Sequence, residues 1–337
     1  MALGRPRATR PQALASARPF PASMPTPPAT AATAPPPSRR DALGWLAALA
    51  LSAAAPAVRA RVDDDVGGFD RGLLWRVERP GVAPSHLFGT LHLDDPRALD
   101  FRPPVRRAFA AARVLVLEML EDDASARRFA QASRLEGGAT LREVAGAEVA
   151  ARVAAVLASR YGMPPEISLR LKPWAAYLAL VQPTRPPGEI VDAALRRMAR
   201  QRGLPVRPLE TVDEQLQALE AVPEASQVAL LDAVSRRHDE AQAAIPVLLE
   251  RYLDGDLSGL LRLQFDAVDG EPLLHAPLED LLEHVLRRRN ERMAQRLHPV
   301  LRQGRAFAAM GALHLQGPEG VPARLQRAGW RVRPVAN

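Results

Sequence analysis

Two histidines occupy the same short sequence pattern in distant parts of the chain. His92 lies in FGTLHLDD (residues 88–95) and His314 lies in MGALHLQG (residues 310–317). In both places an apolar run that predicts a strand leads into Gly-x-Leu-His-Leu, then a helix and another strand. Imidazole is a common metal ligand and transfers protons near neutral pH. Because open α/β sheets bind ligands at the carboxyl ends of their strands, we expect both histidines to face one cleft.

Glu118 is the candidate carboxylate for the same cleft. It follows four aliphatic residues in VLVLE (residues 114–118), where an ionised carboxylate is costly unless it is paired or bound to a metal. The sequence contains no cysteine, so any metal must be held by histidine and carboxylate. Two imidazoles and one carboxylate suffice for a divalent ion with open positions. The alternatives are a glutamate that reaches solvent and histidines that are ordinary polar residues at strand ends.

Four other polar residues stand at the ends of predicted elements or in charged runs. Glu210 follows a predicted strand, Asp192 lies in GEIVDAAL, and Arg289 and Asn290 lie in LRRRNERM. A solvated carboxylate at a helix start is the alternative for Glu210 and Asp192, because the helix dipole favours acids there. A solvated helical face is the alternative for Arg289 and Asn290. The remaining histidines have no such context and are interpreted as structural.

Composition and motifs exclude several classes of function. The sequence has no G-x-S-x-G, Walker loop, G-x-G-x-x-G or H-E-x-x-H pattern, so serine hydrolases, nucleotide binding and zincins have no support. The net charge is +7, but residues 1–60 contain seven Arg and one Asp, which leaves only +1 for the rest of the chain. A near-neutral body lacks the electrostatic footprint of a nucleic-acid-binding protein. We therefore expect no nucleic-acid partner.

The first 60 residues are typical of a disordered leader and an export signal. Residues 1–37 are rich in Pro, Ala, Ser and Arg, a composition that cannot bury enough apolar surface to fold. A paired arginine at 39–40 precedes an uncharged apolar run over residues 42–55 and small residues up to Ala60, as in a signal peptide. The run would form roughly 21 Å of helix, shorter than the ~30 Å bilayer core. Cleavage near Ala60 and no permanent membrane span are expected.

The predicted location is periplasmic or secreted. The arginine pair also fits a twin-arginine signal, which exports folded proteins. Because the stretch before the pair is long, translation from Met24 instead of Met1 is an alternative. A disordered tail before a buried core helix is the alternative to a signal. The sequence does not indicate an oligomeric state.

Residues 61–337 are predicted to form one α/β domain. Strands are expected at residues 73–78, 86–90, 114–118, 204–210, 306–312 and 330–335. A helix is expected over about 97–112, and Thr211 with Glu214 three residues later forms a capping-box pattern that predicts the start of another helix. Residues from about 124 to 302 are mostly helical in pattern, and long helices are expected at 224–252 and 277–302. The fold class is therefore a central sheet built from pseudo-symmetric N- and C-terminal halves, with a large helical insertion between them.

Five segments of the sequence together resemble the TraB/PrgY/GumN family. They are LLWRVERPGVAPSHLFGTLHLDD, VLVLEML, PLETVDEQL, RRRNERMAQRL and FAAMGALHLQGPEGVPARLQRAGWRVRPV. The resemblance covers roughly residues 70–337, and the order and spacing of the segments make it specific. The family includes the Tiki metal-dependent proteases, and it is similar to the erythromycin-esterase/ChaN-like superfamily.

The resemblance implies a metal-dependent hydrolase, with His92, His314 and Glu118 as ligands of manganese, cobalt or zinc. A metal-activated water would then attack an exported or extracytoplasmic peptide or protein substrate. Glu118, if it is not a ligand, or Glu210 would act as the general base. Arg289 would stabilise the oxyanion.

Glu210 matches the L-E-T element of the family, and Arg289 with Asn290 matches its R-N element. Two other functions fit the same resemblance. One is a non-catalytic extracytoplasmic binding protein for peptide, haem or metal, and the other is an accessory protein of exopolysaccharide production. The presence of both Glu118 and Glu210 favours an enzyme, and an aromatic content of 4% offers little for a sugar-binding platform.

Overall fold

A single mixed sheet of six strands organises the chain. The computed structural model describes residues 68–185 and 188–336, and the leader and signal predicted in residues 1–60 lie outside them. The strands are Leu74–Arg79 (β1), Val82–Thr90 (β2), Val114–Leu117 (β3), Val206–Pro208 (β4), Ala306–Gly311 (β5) and Arg331–Pro334 (β6). Their order is β4-β3-β5-β2-β1-β6. β2, β5, β3 and β4 are parallel, whereas β1 is antiparallel to both of its neighbours.

The strands that carry the candidate site are deeply buried. All four residues of β3 (VLVL) and all six of β5 (AFAAMG) are buried. Continuous apolar runs of this kind are typical of parallel strands covered on both faces. β1 and β2 instead form a hairpin, and its turn contains Gly81 with a φ of 76°, a conformation that glycine adopts without steric cost.

Helices fill most of the chain between β3 and β5. The helices before β4, of which the first two precede β3, are Pro96–Leu99 (α1), Pro103–Ala110 (α2), Asp123–Ala132 (α3), Leu141–Ala145 (α4), Ala147–Tyr161 (α5), Pro165–Ser168 (α6), Pro173–Leu180 (α7) and Val191–Gln201 (α8). The later ones are Val212–Glu220 (α9), Glu224–Arg236 (α10), His238–Leu253 (α11), Leu257–Asp266 (α12), His275–Leu282 (α13), Arg288–Gln303 (α14) and Val321–Arg327 (α15). A π-helical turn, Glu283–Arg287, joins α13 to α14. Short 3-10 helices lie at Pro272–Leu274 and Ala312–Leu315.

The hydrophobic core has two parts. One lies around the sheet and includes Leu115 and Phe307. The other lies within the helical region and includes Trp174 and Leu230. In residues 68–185 and 188–336, no helix combines the length and the apolar character needed to cross a membrane.

The predicted α/β architecture with a helical insertion is confirmed, and two helix boundaries differ. The helix expected over 97–112 is divided into α1 and α2, because a residue before proline avoids helical backbone and Arg102 has a ψ of 153°. The helix expected over 224–252 is divided at Arg237, which has a φ of −112° and lies between α10 and α11. The π-helical turn within the helix expected over 277–302 was not predicted.

Candidate functional site

The two Gly-x-x-His motifs begin side by side at the carboxyl edge of the sheet. β2 and β5 are parallel neighbours, and Thr90 of the first motif pairs with Gly311 of the second. Gly89 permits this close approach, because a Cβ atom built on it would lie 3.2 Å from the Cα atom of Ala312. The repeat in the sequence therefore corresponds to direct packing of one motif against the other.

His314 is buried and held by one of its ring nitrogens. Its Nδ1 atom lies 2.5 Å from Oδ1 of Asn290, and the Asn290 amide in turn donates to the carbonyl of Glu319 at 3.0 Å. The other ring nitrogen, Nε2, lies 3.7 Å from Oε2 of Glu118. Burial lowers the pKa of His314 to about 4, against the opposing charge of Glu118. The imidazole is therefore neutral at pH 7.

Glu118 is a buried anion directly after β3. Its Oε1 atom accepts the backbone N–H of Gly311 at 2.6 Å, and its Oε2 atom accepts from Arg289. Burial opposes ionisation, but positive charge at His314, Arg289 and His92, together with the Gly311 N–H, lowers the pKa of Glu118 to about 2. The side chain does not extend into solvent, since only 11% of it is exposed.

Arg289 links Glu118 to Glu210 in the interior. Its Nε and Nη2 atoms donate to Oε2 of Glu210 at 2.9 and 2.8 Å, and Nη1 donates to the Val285 carbonyl at 3.2 Å. Arg292 donates to the other oxygen of Glu210 at 3.0 and 2.5 Å. The Glu210 side chain is fully buried, so neither it nor Arg289 belongs to a solvated face.

The two arginines reach Glu210 from the first turns of α14, immediately after the π-helical turn. A π-helical turn of this kind is frequent at functional sites, because it changes the face that the following residues present. Asn290 and Arg289 are adjacent in sequence but serve different partners, His314 and Glu118. One helix end therefore holds both a candidate ligand histidine and the candidate carboxylate.

His92 pairs with Asp192, which lies in the first turn of α8. The Nε2 atom of His92 lies 3.3 Å from Oδ2 of Asp192, and Thr90 donates to Oδ1 of Asp192 at 3.2 Å. Among the described residues, neither the buried Nδ1 atom of His92 nor Oδ2 of Asp192 has a hydrogen-bond partner. Burial raises the pKa of Asp192. Asp192 is thus a first-turn acid, as its position suggested, and also a contact of a motif histidine.

A small cleft of about 30 Å³ opens beside these residues. This is enough space for a water molecule or an ion. Its lining includes His92, Glu118, Asp192, Glu121, Arg196 and Gln215. Arg196 donates to the backbone carbonyl of Glu121, and burial raises the pKa of the Glu121 carboxyl. His314 is not among these lining residues, but its Nε2 atom lies 3.7 Å from Oε2 of Glu118, which is one of them.

The donor atoms at this edge suit a divalent ion in their chemistry. Among the residues that the structure describes, no three His, Asp or Glu side chains form a ready-made metal cluster. Nevertheless, His92 offers a buried ring nitrogen without a partner in the described part of the chain, and His314 offers its Nε2 atom beside an ionised Glu118. Neutral imidazoles and carboxylates are ligands that zinc and related transition metals accept. The types of donor atom therefore suit a divalent ion, although the described side chains are not gathered around a single point.

The structure brings the residues singled out in the sequence into two neighbouring groups. One is a network of Glu118, Glu210, Arg289, Asn290 and His314, and the other is His92 with Asp192. Sequence reasoning missed Arg292 and Glu121. The spacing of three between Arg289 and Arg292, which places both on one helix face, was a usable signal. No local signal distinguished Glu121 from its acidic neighbours.

Comparisons with known proteins identify the family of the chain. The chain matches the TraB/PrgY/gumN family over residues 73–334. It is also 23% identical over 326 residues to the Metalloprotease TIKI1 of Danio rerio, an alignment covering 77% of this chain and 62% of the relative. The chain thus spans less than two thirds of that relative's length. No solved structure matches the chain.

Proposed function

This chain belongs to the TraB/PrgY/gumN family, and on that premise we propose that it is a metal-dependent hydrolase of peptide bonds. The observation that carries the proposal is the meeting of two Gly-x-x-His motifs and an ionised glutamate at one edge of the sheet. The relative named as a metalloprotease, although distant, supports the same chemistry.

His92, His314 and Glu118 would hold the metal, which we propose to be manganese, cobalt or zinc. When bound, such an ion supplies Lewis acidity, which polarises a carbonyl and acidifies water. The protein contributes ligands in the protonation states that binding requires. His314 is neutral at pH 7 because of its burial, and Glu118 is ionised, so neither has to lose a proton first.

Asn290, Arg289 and Glu210 are positioning residues in this proposal. Asn290 fixes the ring of His314, and Arg289 fixes the carboxylate of Glu118. The donors of Arg289 are occupied by Glu118, Glu210 and a backbone carbonyl, which favours a structural role over contact with an oxyanion. Likewise, both oxygens of Glu210 accept from arginines, which makes it a poor general base.

Glu121 is a carboxyl group of the cleft that is suited to proton transfer. A general base works best when its pKa lies near the operating pH. Burial raises the pKa of Glu121, whereas that of Glu118 is lowered to about 2. Since Glu121 lines the cleft together with His92 and Glu118, we assign it the transfer of a proton between substrate and water.

A peptide-library cleavage assay tests the proposed activity. The protein is stripped with chelator and reloaded with manganese, cobalt or zinc, and cleavage products are identified by mass spectrometry. Loaded wild type should cleave, stripped protein should not, and Glu121→Gln should lower the turnover about 100-fold or more without changing the metal content. Glu136→Gln, at an exposed position, is the matched control. Absence of cleavage by protein that has bound metal would contradict the hydrolase proposal.

A binding protein with the same metal ligands and no turnover is the second candidate function. Its support is that the cleft has room for an ion. The same cleavage assay separates the two candidates, because a binding protein would take up metal and leave every peptide intact.

We also propose that the chain acts outside the cytoplasm. The support is the sequence of residues 1–60, with its arginine pair, apolar run and small residues before Ala60. Fusion of residues 1–60 to a reporter that is active only after export tests this proposal. Arg39→Lys with Arg40→Lys should abolish export if the signal is of the twin-arginine type. Retention of the unmutated fusion in the cytoplasm would contradict it.

A further inference from the structure

Buried polar atoms without partners are concentrated at the cleft beside the two motifs. In residues 68–185 and 188–336, five buried side-chain nitrogen or oxygen atoms have no hydrogen-bond partner. Three of them, Nδ1 of His92, Oδ2 of Asp192 and Oε1 of Gln215, belong to residues that line this cleft. A buried polar group without a partner is costly. Their concentration in one place therefore indicates that the cleft receives a polar ligand.

The side chain of Gln215 has a defined orientation. Gln215 lies in the first turn of α9, which the capping box of Thr211 and Glu214 fixes, and only 2% of the residue is exposed. Its Nε2 atom donates to Oε2 of Glu210 at 3.4 Å. Because the oxygens of Glu210 accept from two arginines, the amide nitrogen of Gln215 must be the atom that faces it. The amide oxygen, Oε1, is therefore the atom without a partner.

The oxygen of Gln215 differs from the carboxyl groups that line the same cleft. Both oxygens of Glu118 already accept from the protein, one from the Gly311 N–H and the other from Arg289. Glu121 is assigned to proton transfer, so its hydrogen bonding must change during the reaction. An amide oxygen accepts a hydrogen bond and leaves the proton on the donor. Oε1 of Gln215 is therefore suited to hold an N–H group of the substrate.

A peptide bond supplies the matching donor. Apart from bonds to proline, each peptide group carries one N–H donor and one C=O acceptor. In the proposed function the metal polarises the substrate carbonyl, and the N–H group on the other side of the same bond then needs an acceptor. We propose that Gln215 is a specificity-determining residue whose Oε1 atom accepts the N–H of the bond to be cleaved, so that the site selects amides over esters. This inference rests on the proposed function.

The physical basis of the selectivity is a mismatch of lone pairs. The oxygen that replaces the N–H group in an ester can only accept hydrogen bonds, so it would leave Oε1 of Gln215 buried and without a partner. Sites built to hydrogen-bond a substrate N–H discriminate strongly against an analogue that lacks it.

Matched substrates test the selectivity. The peptide that the full-length, metal-loaded protein cleaves best in the library is synthesised with its ordinary amide bond and with an ester at the cleaved position, and kcat/KM is measured for both. Gln215→Met removes the acceptor and keeps a side chain of similar volume. It should lower kcat/KM for the amide about 10-fold or more and change that for the ester by less than about twofold. Comparing the amide-to-ester ratio between proteins removes the greater intrinsic reactivity of esters.

Gln227→Met is the matched control, because both ends of the buried Gln227 amide have partners. Its oxygen accepts from the backbone N–H of Trp174 at 3.2 Å, and its nitrogen donates to the Val222 carbonyl at 2.7 Å. Gln227→Met should leave the amide-to-ester ratio unchanged and lower the midpoint of chemical denaturation. Gln215→Met should lower that midpoint less, because Oε1 of Gln215 has no partner to lose in the described part of the chain. The denaturation curves also show whether each variant is folded.

Three results would overturn the inference. An amide-to-ester ratio that is the same in Gln215→Met as in wild type would contradict the contact with the substrate N–H. A denaturation midpoint lowered as much by Gln215→Met as by Gln227→Met would contradict the unpartnered state of Oε1. If metal-loaded wild type cleaved no peptide, the proposed function would fail and the inference with it, whereas cleavage with an unchanged ratio would overturn the inference alone.

Discussion

Gly89 packs against Ala312, so the glycine of the first Gly-x-x-His motif is in contact with the second motif. A methyl group on Gly89 would lie 3.2 Å from the Ala312 Cα atom and 3.1 Å from the nearest side-chain carbon of Leu315. Real Cβ atoms rarely approach neighbours so closely, so one motif would have to move. The glycine is therefore required by the packing of the two motifs and not by its own backbone conformation.

Gly89→Ala should destabilise the protein by about 1–3 kcal/mol, the usual cost of overpacking. It should also weaken metal binding, because the displaced segment carries His314. Denaturant unfolding and zinc competition measure the two effects. Gly68→Ala is the matched control, because a Cβ there meets nothing within 4 Å. Unfolding curves and zinc affinities for Gly89→Ala that coincide with those of the control would contradict this explanation of the repeat.

Glu210→Gln should cost about 3 kcal/mol or more of unfolding free energy. The substitution leaves the buried charge of Arg289 with less compensation, and breaking a buried pair from one side typically costs 3–5 kcal/mol. Glu214→Gln is the comparison, because it also removes an ion pair, with Arg296, but at a partly exposed site.

Glutamine at position 214 can still serve in the capping box with Thr211 that starts α9. Its expected cost is therefore only about 0.2–1 kcal/mol. Chemical denaturation of both variants at one pH gives the comparison. Equal losses of unfolding free energy for Glu210→Gln and Glu214→Gln would contradict the claim that the buried Glu210 network is costlier to break than a partly exposed ion pair.

Acidification should destabilise the metal-free protein partly through His314. Its pKa is about 4 in the folded state, against an ordinary value of 6.5. Between these values the unfolded chain binds a proton that the folded chain does not, so stability falls as pH decreases from 6.5 to 4. At 1.36 kcal/mol per pKa unit, the contribution is about 3 kcal/mol.

The measurement is denaturant unfolding in chelator at a series of pH values. His314→Gln should show a shallower dependence than wild type over this window, although it retains the other histidines. Glu118 adds a loss of stability at lower pH, as the medium passes from 4.5 toward its folded pKa of about 2. Parallel curves for wild type and His314→Gln between pH 6.5 and 4 would contradict the burial of a neutral imidazole.

Much of the fold could be predicted because local patterns and tertiary structure agree. The aliphatic runs of β3 and β5 predicted buried strands, and both are buried throughout. Thr211 and Glu214 predicted the start of α9, where both capping hydrogen bonds occur. The π-helical turn before Arg289 could not be predicted, because nothing in a helical sequence pattern distinguishes an extra residue in one turn.

The sequence predicted which residues form the candidate site better than it predicted the contacts between them. Glu210 and Arg289 were noted separately, yet their pairing joins residues 79 positions apart, which no local pattern encodes. The pairing of His92 with Asp192 depends on where α8 begins relative to β2. Both contacts are set by the packing of the helical insertion on the sheet, which one sequence alone does not specify.

Metal content tests the central claim most directly. The full-length protein and its His314→Ala and His275→Ala variants are stripped, reloaded with manganese, cobalt or zinc, and analysed by mass spectrometry for bound metal. His275 is an exposed histidine at the start of α13 and serves as the control. About one divalent ion in wild type and in His275→Ala, with none in His314→Ala, is the result that the account predicts. No bound metal in wild type, or equal metal in His314→Ala, would contradict the proposal that the two motifs share a metal site.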